Sequence, residues 1–591
     1  MKMSKRQLVT AILLSFFVGL TTIGWTSDLH KKSDNKSTKI YKSENFTIFN
    51  VNNLRIPLDN KGVLADVDPG DGTGAGGTYN NIVVLFSGGF FLSGYDNGVL
   101  WANGVLTCSR IEDYQPGPVG VSSADPKNKI YVVKKQDIAF SQSWQDWRDA
   151  VSIGADYYDG DGDGTYNPVD LNSNGNWDTN EDRPDLIGDW TAWCVYNDGV
   201  PAALRIFNDV APKGIEIHQT VFGYGSDEVI GNVMFIRYRL VNSGSVSDKL
   251  DNVYFGAAVD PDIGTYDDDF IGCDTTLNVG YVYNNGSDLL FGANPPSFIV
   301  DLLQGPVTYM PRVTFLDVNG DGIFSESIDI ALDTAYSAGG IIKGVKKYPG
   351  AKNLSAVSFT GYMHSHPVVG DPTTPIQLRN IMMGGKGNNG DSLYVSTWAL
   401  GNGAALGIDT AMICARYMYS GDPVNSNGWL NTAPLDQKQI SNIGPFQLQQ
   451  ENPVDIYVGY IIGQGSDPLN SITIAKQNDL AAQRALDENF PFVIVGVEDE
   501  TNKNYNFKLN QNYPNPFNPT TTISFSLQSK EFVTLKIYDV LGEEVITLVN
   551  EELNTGSYKN DWNATNLSSG VYFYRLQAGN FSETKKLLFL K

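Results

Sequence analysis

The stretch NVMFIRYRLVN, Asn232 to Asn242, reads as a β-strand. It is rich in β-branched and aromatic residues, and turn residues bound it at both ends. The pattern recurs along the chain, in NIVVLFSGGFFL (Asn81–Leu92), KIYVVKKQDIAF (Lys129–Phe140), GIEIHQTVFGY (Gly214–Tyr224), NVYFGAAV (Asn252–Val259) and DIYVGYIIG (Asp455–Gly463). Short alternating runs at such spacing predict antiparallel sandwiches, not alternating strand–helix units. The fold class expected is therefore mainly β, with a β-sandwich-rich body. One helix interrupts it, over Ser471 to Asn489. There Ala475, Ala482 and Leu486 recur at helical spacing, and Ala481 and Ala485 widen that face. Asn470 or Ser471 can cap its start, and Pro491 follows its end.

The chain has 591 residues, long enough for several domains. Its 66 acidic residues outweigh 42 basic ones, for a net charge of −24. That balance argues against nucleic acid as a partner, because nucleic acid is bound by basic surface. It suits cation binding. Lys2, Lys5 and Arg6 precede an apolar run from Leu8 to Leu20, and Gly24-Trp25-Thr26 follows as a small-x-small cleavage site. Residues 1–26 therefore read as a signal peptide and 27–46 as a polar leader. The apolar run is shorter than the roughly 20 residues a spanning helix needs, so no transmembrane anchor is expected. Cys108, Cys194, Cys273 and Cys414 allow two disulfides in any of three connectivities, or buried thiols; both remain open.

Within the 47–497 body, DGDGDGTYNPVDLNSNGNWDTNEDRPD (Asp159–Asp185) concentrates like charge. Two overlapping twelve-residue calcium loops fit it. The first places Asp159, Asp161, Asp163, Gly164, Thr165, Asn167 and Asp170 at positions 1, 3, 5, 6, 7, 9 and 12. The second places Asp170, Asn172, Asn174, Gly175, Asn176, Asp178 and Glu181 there. Calcium takes six to eight hard oxygens; position 7 gives its carbonyl, position 6 turns on glycine, and position 12 closes the shell with a carboxylate. In this numbering Asp170 serves both loops. Their pattern resembles dockerin-like loops and thrombospondin type 3 repeats. The flanks GADYY and DRPDLIG are poor helices, so the expected role of calcium is structural. A third loop, at 317–329, has Asp317, Asn319, Asp321 and Gly322 in place, but Ile328 at position 12, with Glu326 and Asp329 nearby. The cluster AAVDPDIGTYDDDF (Ala257–Phe270) is a further place for calcium or a partner.

No catalytic motif is legible. His364 and His366 offer two metal ligands without a third, and the formal GxGxxG at Gly72, Gly74 and Gly77 lacks its strand and helix. A glycosidase needs only two carboxylates, and Trp144, Trp147, Trp190 and Trp193 could stack on sugars, although core packing is the commoner reason for such aromatics. A secreted polysaccharide- or protein-degrading hydrolase is thus the alternative to a calcium-stabilised binding or structural protein with a glycan or protein ligand.

After a polar linker at 498–506, residues 507–591 carry six strands, with NFKLN as a possible seventh. They make an immunoglobulin-like sandwich in size and strand count. FKLNQNYPNPFNPTTTISFSL, YDVLGEEV, LSSGVYFYRL and the terminal KKLLFLK resemble the type A C-terminal sorting domain of the type IX secretion system of Bacteroidota and their relatives. The resemblance implies recognition by the outer-membrane translocon through residues 507–591, and passage through the periplasm to the cell surface or medium. GCDTTLNVGYVYN (Gly272–Asn284) and YIIGQGSD (Tyr460–Asp467) look like segments of large surface proteins with the same domain.

Overall fold

A computed structural model describes residues 45–70, 75–105, 113–225, 229–364, 366–394, 403–490, 507–509 and most of 512–589. The signal peptide, the leader up to residue 44, the linker, Cys108 and His30 lie outside these residues. Two compact units divide near Val495 and Gly496.

The body is built on two antiparallel sheets. The larger has nine strands, running from Phe270–Asp274 through Val279–Tyr283, Ser297–Gln304, Val454–Gly463, Val233–Asn242 and Ile215–Gly223 to Trp190–Asn197, with Gln115–Pro116 and Tyr131–Lys134 both paired to the last. The smaller has five, in the order Ala356–Tyr362, Lys438–Gln449, Lys249–Asp260, Ser87–Asp96 and Val99–Gly104. The strand Val233–Asn242 shows how the layers form. Met234, Ile236, Tyr238 and Leu240 enter the core shared by the two sheets. Val233 and Phe235 point the other way, into a second core. Period-two alternation thus gives one strand two apolar faces, each covered.

Three helices of eight or more residues occur among the described residues, where the sequence predicted one: α1 (Gln142–Ser152), α2 (Pro375–Met383) and α3 (Pro468–Asp487). Helix α3 lays Ile472, Ala475, Ala482 and Ala485 on the outer face of the large sheet, against Phe235, Tyr281, Tyr457 and Ile461. Its cap is Asp467, whose carboxylate accepts from Asn470 N at 2.9 Å, with Pro468 in the first turn. Helix α1 covers the other end of that face, placing Trp147 and Ala150 against Tyr131, Val133, Trp193 and Val195. The run Lys129–Phe140 is a strand only to Lys134, because Asp137 turns the chain by accepting from Lys134 N at 2.9 Å.

The C-terminal unit packs a three-stranded sheet on a four-stranded one, with Lys508–Leu509 as the seventh strand. Val533, Leu535 and Ile537 are buried, as their alternation requires. The segment after Asn512 braces the final strand, Phe581–Phe589. Asn515 accepts from Leu588 N at 2.7 Å, Phe517 N donates to Leu588 O, and the Phe517 ring lies 5.1 Å from that of Phe589.

Candidate metal centre

The acidic stretch leaves the body through a short neck. Tyr158 pairs with Arg183 and Tyr157 with Pro184, so entry and exit are antiparallel partners. Arg183 is buried and stacks over Trp177 at 4.9 Å and Tyr158 at 5.7 Å. Such cation–π contacts pin the neck. Asp156, just before it, meets Arg237 at 3.1 Å and Lys343 at 2.5 Å. Burial alone would raise the Asp156 pKa, but these two cations outweigh it and hold it low. Asp185 sits deeper. Burial first, then the Asp156 charge, push it up to about 6 against the pull of Arg237, Lys343 and Arg183.

Two loops beyond this neck, and a third between the paired strands Phe315–Leu316 and Ile330–Ala331, repeat one pattern of hydrogen bonds. In the first, Asp159 accepts from Gly162 N at 2.8 Å and Gly164 N at 3.0 Å. In the second, Asp170 accepts from Asn174 N at 3.1 Å and Gly175 N at 2.7 Å. In the third, Asp317 accepts from Gly320 N at 2.7 Å and Gly322 N at 2.9 Å. The position-6 glycines Gly164, Gly175 and Gly322 have φ of +76°, +78° and +76°, which only glycine adopts without cost. Side chains at positions 3 and 5 accept from amides two residues on: Asp161 from Asp163, Asp163 from Thr165, Asn172 from Asn174, Asn174 from Asn176, Asn319 from Asp321 and Asp321 from Ile323.

The closing carboxylate holds the amides of positions 2 and 9. Glu181 takes Leu171 N at 2.7 Å and Asp178 N at 2.9 Å in the second loop. In the first loop that place belongs to Asp182, which takes Gly160 N at 2.9 Å and Asn167 N at 2.7 Å. Asp170 makes its amide contacts within the second loop, and they lower its pKa, that from Gly175 most. In the third loop Asp329 takes Val318 N at 2.9 Å and Ser325 N at 2.7 Å, one residue after the position the twelve-residue count assigns to Ile328. Sequence counting missed Asp182 because it lies 12 residues beyond Asp170, adjacent to Glu181. The backbone of Glu181 lies against Gly160 so closely that a Cβ there would meet its oxygen, so position 2 of the first loop must be glycine.

Glu181 and Asp182 are buried, while Asp159, Asp161, Asp163, Asn172, Asn174 and Asn176 are exposed. Oxygens of Asp159, Asp161 and Asp182 lie within 4.8 Å of one another. Carboxylates that close repel unless a cation or protons intervene. Asn167 turns its side chain toward helix α1 and accepts from Arg148 at 2.6 Å. Asp178 accepts from Asn172 at 2.7 Å and Asn174 at 2.8 Å. The carbonyls of Thr165 and Asn176 complete the oxygen set by position.

Other sequence candidates fall elsewhere. His364 meets Asp371 at 2.8 Å, and His366 Nδ1 accepts from Val368 N and Val369 N, so the two histidines do not converge as ligands. Trp144, Trp147, Trp190 and Trp193 are core residues with no face free for a sugar. Cys194 and Cys273 are buried thiols and Cys414 is exposed.

Comparison with known proteins bears on the C-terminal unit. Residues 511–590 match the family described as the secretion system C-terminal sorting domain. The chain is a type IX secretion cargo. Such a domain engages the secretion machinery and directs its chain to the cell surface or the extracellular space. Among the described residues no helix is long and apolar enough to cross a membrane. No curated protein matches the chain. It is similar to a solved structure titled "Polysaccharide Lyase" at 8% identity and a TM-score of 0.17, over 64% of this chain and 34% of that one. The chain thus spans about a third of that structure's length, and so slight a likeness says nothing of activity.

Proposed function

We propose that the body is a calcium-stabilised binding or structural module, exported by its sorting domain to act at the cell surface or beyond it. The observation that carries this is the register common to three loops of different sequence, each with an opening carboxylate, a position-6 glycine and a buried closing carboxylate. Oxygen-only donor sets of this kind suit calcium, and magnesium less, since it retains waters. The loops sit where entry and exit strands pair, so an ion there ties the neck down instead of moving helices. Export supplies the trigger. Extracellular modules bind calcium in the range of about 0.1–1 mM, which is met outside the cell and not in the cytoplasm.

Equilibrium dialysis of the chelator-stripped chain against millimolar calcium tests the reading. At least three equivalents should bind, with magnesium unable to displace them at equal concentration. Absence of saturable calcium binding would remove it. The ligand class is open to the same preparation in a screen of glycans and matrix proteins with and without calcium.

A further inference from the structure

A different acidic cluster lies in the body, away from the three loops. The strand Lys249–Asp260 ends at Asp260, and the chain turns through Pro261 to Asp262. Asp436 arrives from the segment that leads into Lys438–Gln449. One oxygen from each of the three carboxylates lies within 4.8 Å of the others. Asp260 is 0% exposed and Asp262 8% exposed, so water does little to screen them. Leu435 N and Gln437 Nε2 both donate to Asp269 O, which fixes the Asp436 segment beside the 262–269 turn.

The second observation comes from the neighbouring strand. Ser87 is the cross-strand partner of Asp260. Directly opposed residues project from the same face with their Cβ atoms about 5 Å apart. The preceding pair, Gly88 and Val259, points into the sandwich, where a Cβ on Gly88 would meet the Tyr460 hydroxyl at 2.6 Å. Ser87 and Asp260 therefore share the opposite face. The Ser87 hydroxyl is fully buried and has no hydrogen-bond partner. Buried side-chain hydroxyls almost always have a partner, and an ordered water or a bound ion supplies it where the protein does not. Lys438, in register beside Asp260 one residue before Gln439, sends its Nζ to Asp371 at 2.6 Å.

We propose that Asp260, Asp262, Asp436 and the Ser87 hydroxyl form an interior site for a hard divalent cation. All four donors are oxygens, the set that calcium, magnesium or manganese takes and that zinc and copper do not favour. An ion there joins the end of one strand, the 261–269 turn and the segment before another strand, closing one corner of the five-stranded sheet. The site stands independently of the loop reading.

The test uses the full chain with Asp159→Asn, Asp170→Asn and Asp317→Asn, which disables the three loops. After chelation and dialysis against calcium alone or manganese alone, metal analysis should find one retained equivalent. Adding Asp262→Asn, Asp436→Asn or Ser87→Ala, one at a time, should lower affinity for that ion at least about tenfold. Circular dichroism shows which variants fold, and Ser87→Ala changes no charge, so one arm survives if a carboxamide misfolds. No retained equivalent in the triple variant overturns the site. So does unchanged affinity in every folded variant, or an Asp262→Asn chain that melts higher in chelator while binding the same metal, which would mean that protons neutralise the cluster. Loss of the loop ions with retention of this one leaves the site standing and isolates failure to the loops.

Discussion

At the residue scale, Asp170 and Asp182 separate two accounts of the first loop. Fixed-length counting makes Asp170 the ligand shared by both loops. The amides instead assign Asp182 to the first loop and Asp170 to the second. Asp182→Asn should weaken one calcium equivalent about tenfold or more, as expected for a charged hydrogen-bonded group worth about 1.5–3 kcal/mol. The second site should be unaffected. Asp170→Asn should do the reverse, read by calcium titration of each variant; loss of both sites from Asp170→Asn would restore the shared-ligand account. The repeats at positions 1, 3, 5 and 6 were legible because each is set by local spacing. The closing ligand was legible only in the second loop, as Glu181; in the other two the fold and not the interval brings Asp182 and Asp329 to their amides.

A second residue-scale pair is invisible in sequence because its members are 178 positions apart. Asp301, on the outer face of the large sheet, meets Asp479 of helix α3, and Gln483 Nε2 donates to both at 3.2 Å and 3.0 Å. Burial is the chief cause raising both carboxyls, Asp301 to about 7, while Asp479 is raised further by the Asp301 charge. Asp274 and Lys476 also face the pair. The folded chain thus keeps a proton that the unfolded chain releases near pH 4. Between about pH 4 and 7 the folded state binds more protons, so stability falls as pH rises through that window. Asp479→Asn should flatten that slope in denaturant melts taken across it. An unchanged slope would contradict a shared proton.

Helices and strands differ in how plainly they were written. The strands were legible because Val, Ile, Phe and Tyr runs end in turn residues. The C-terminal hairpin at Asp539 was equally clear, with Gly542 at φ +82° and its amide bonded to Asp539 O. Helix α1 was not legible because only Trp144, Trp147 and Ala150 of its 11 residues are buried, too short a periodic face to stand out. Helix α2 was missed because Pro375 and its short length weaken the periodic signal, although Thr374 caps it by accepting from Gln377 N. Helix α3 was legible in its alanines, and those alanines have a reason. The backbone of Ala475 comes so close to Gly463 that a Cβ on Gly463 would overlap it. Gly463→Ala should lift the helix and destabilise the body by about 1–3 kcal/mol, the usual cost of overpacking. A thermal melt within a degree of the parent would mean that the helix yields freely.

For the whole molecule, the C-terminal unit addresses and the body acts. The sorting domain was readable because its motifs are contiguous, and the Asn515 and Phe517 contacts explain why they must precede the last strand. A chain ended before residue 507 should fold its body but stay inside the envelope; its appearance on the cell surface would break the link between domain and address. The body's ligand was not readable, since a sandwich surface carries no fixed motif for what it binds. Its stabilising ion is the claim on which the rest depends. Thermal melting of the chelator-stripped chain across added calcium, beside the variant with Asp159→Asn, Asp170→Asn and Asp317→Asn, tests it most directly. A site held at ten times its Kd adds about 1.4 kcal/mol. The parent should therefore melt progressively higher as calcium approaches millimolar, and the variant's rise should be markedly smaller. A parent curve that calcium does not move, or a variant that rises as far as the parent, would contradict the account.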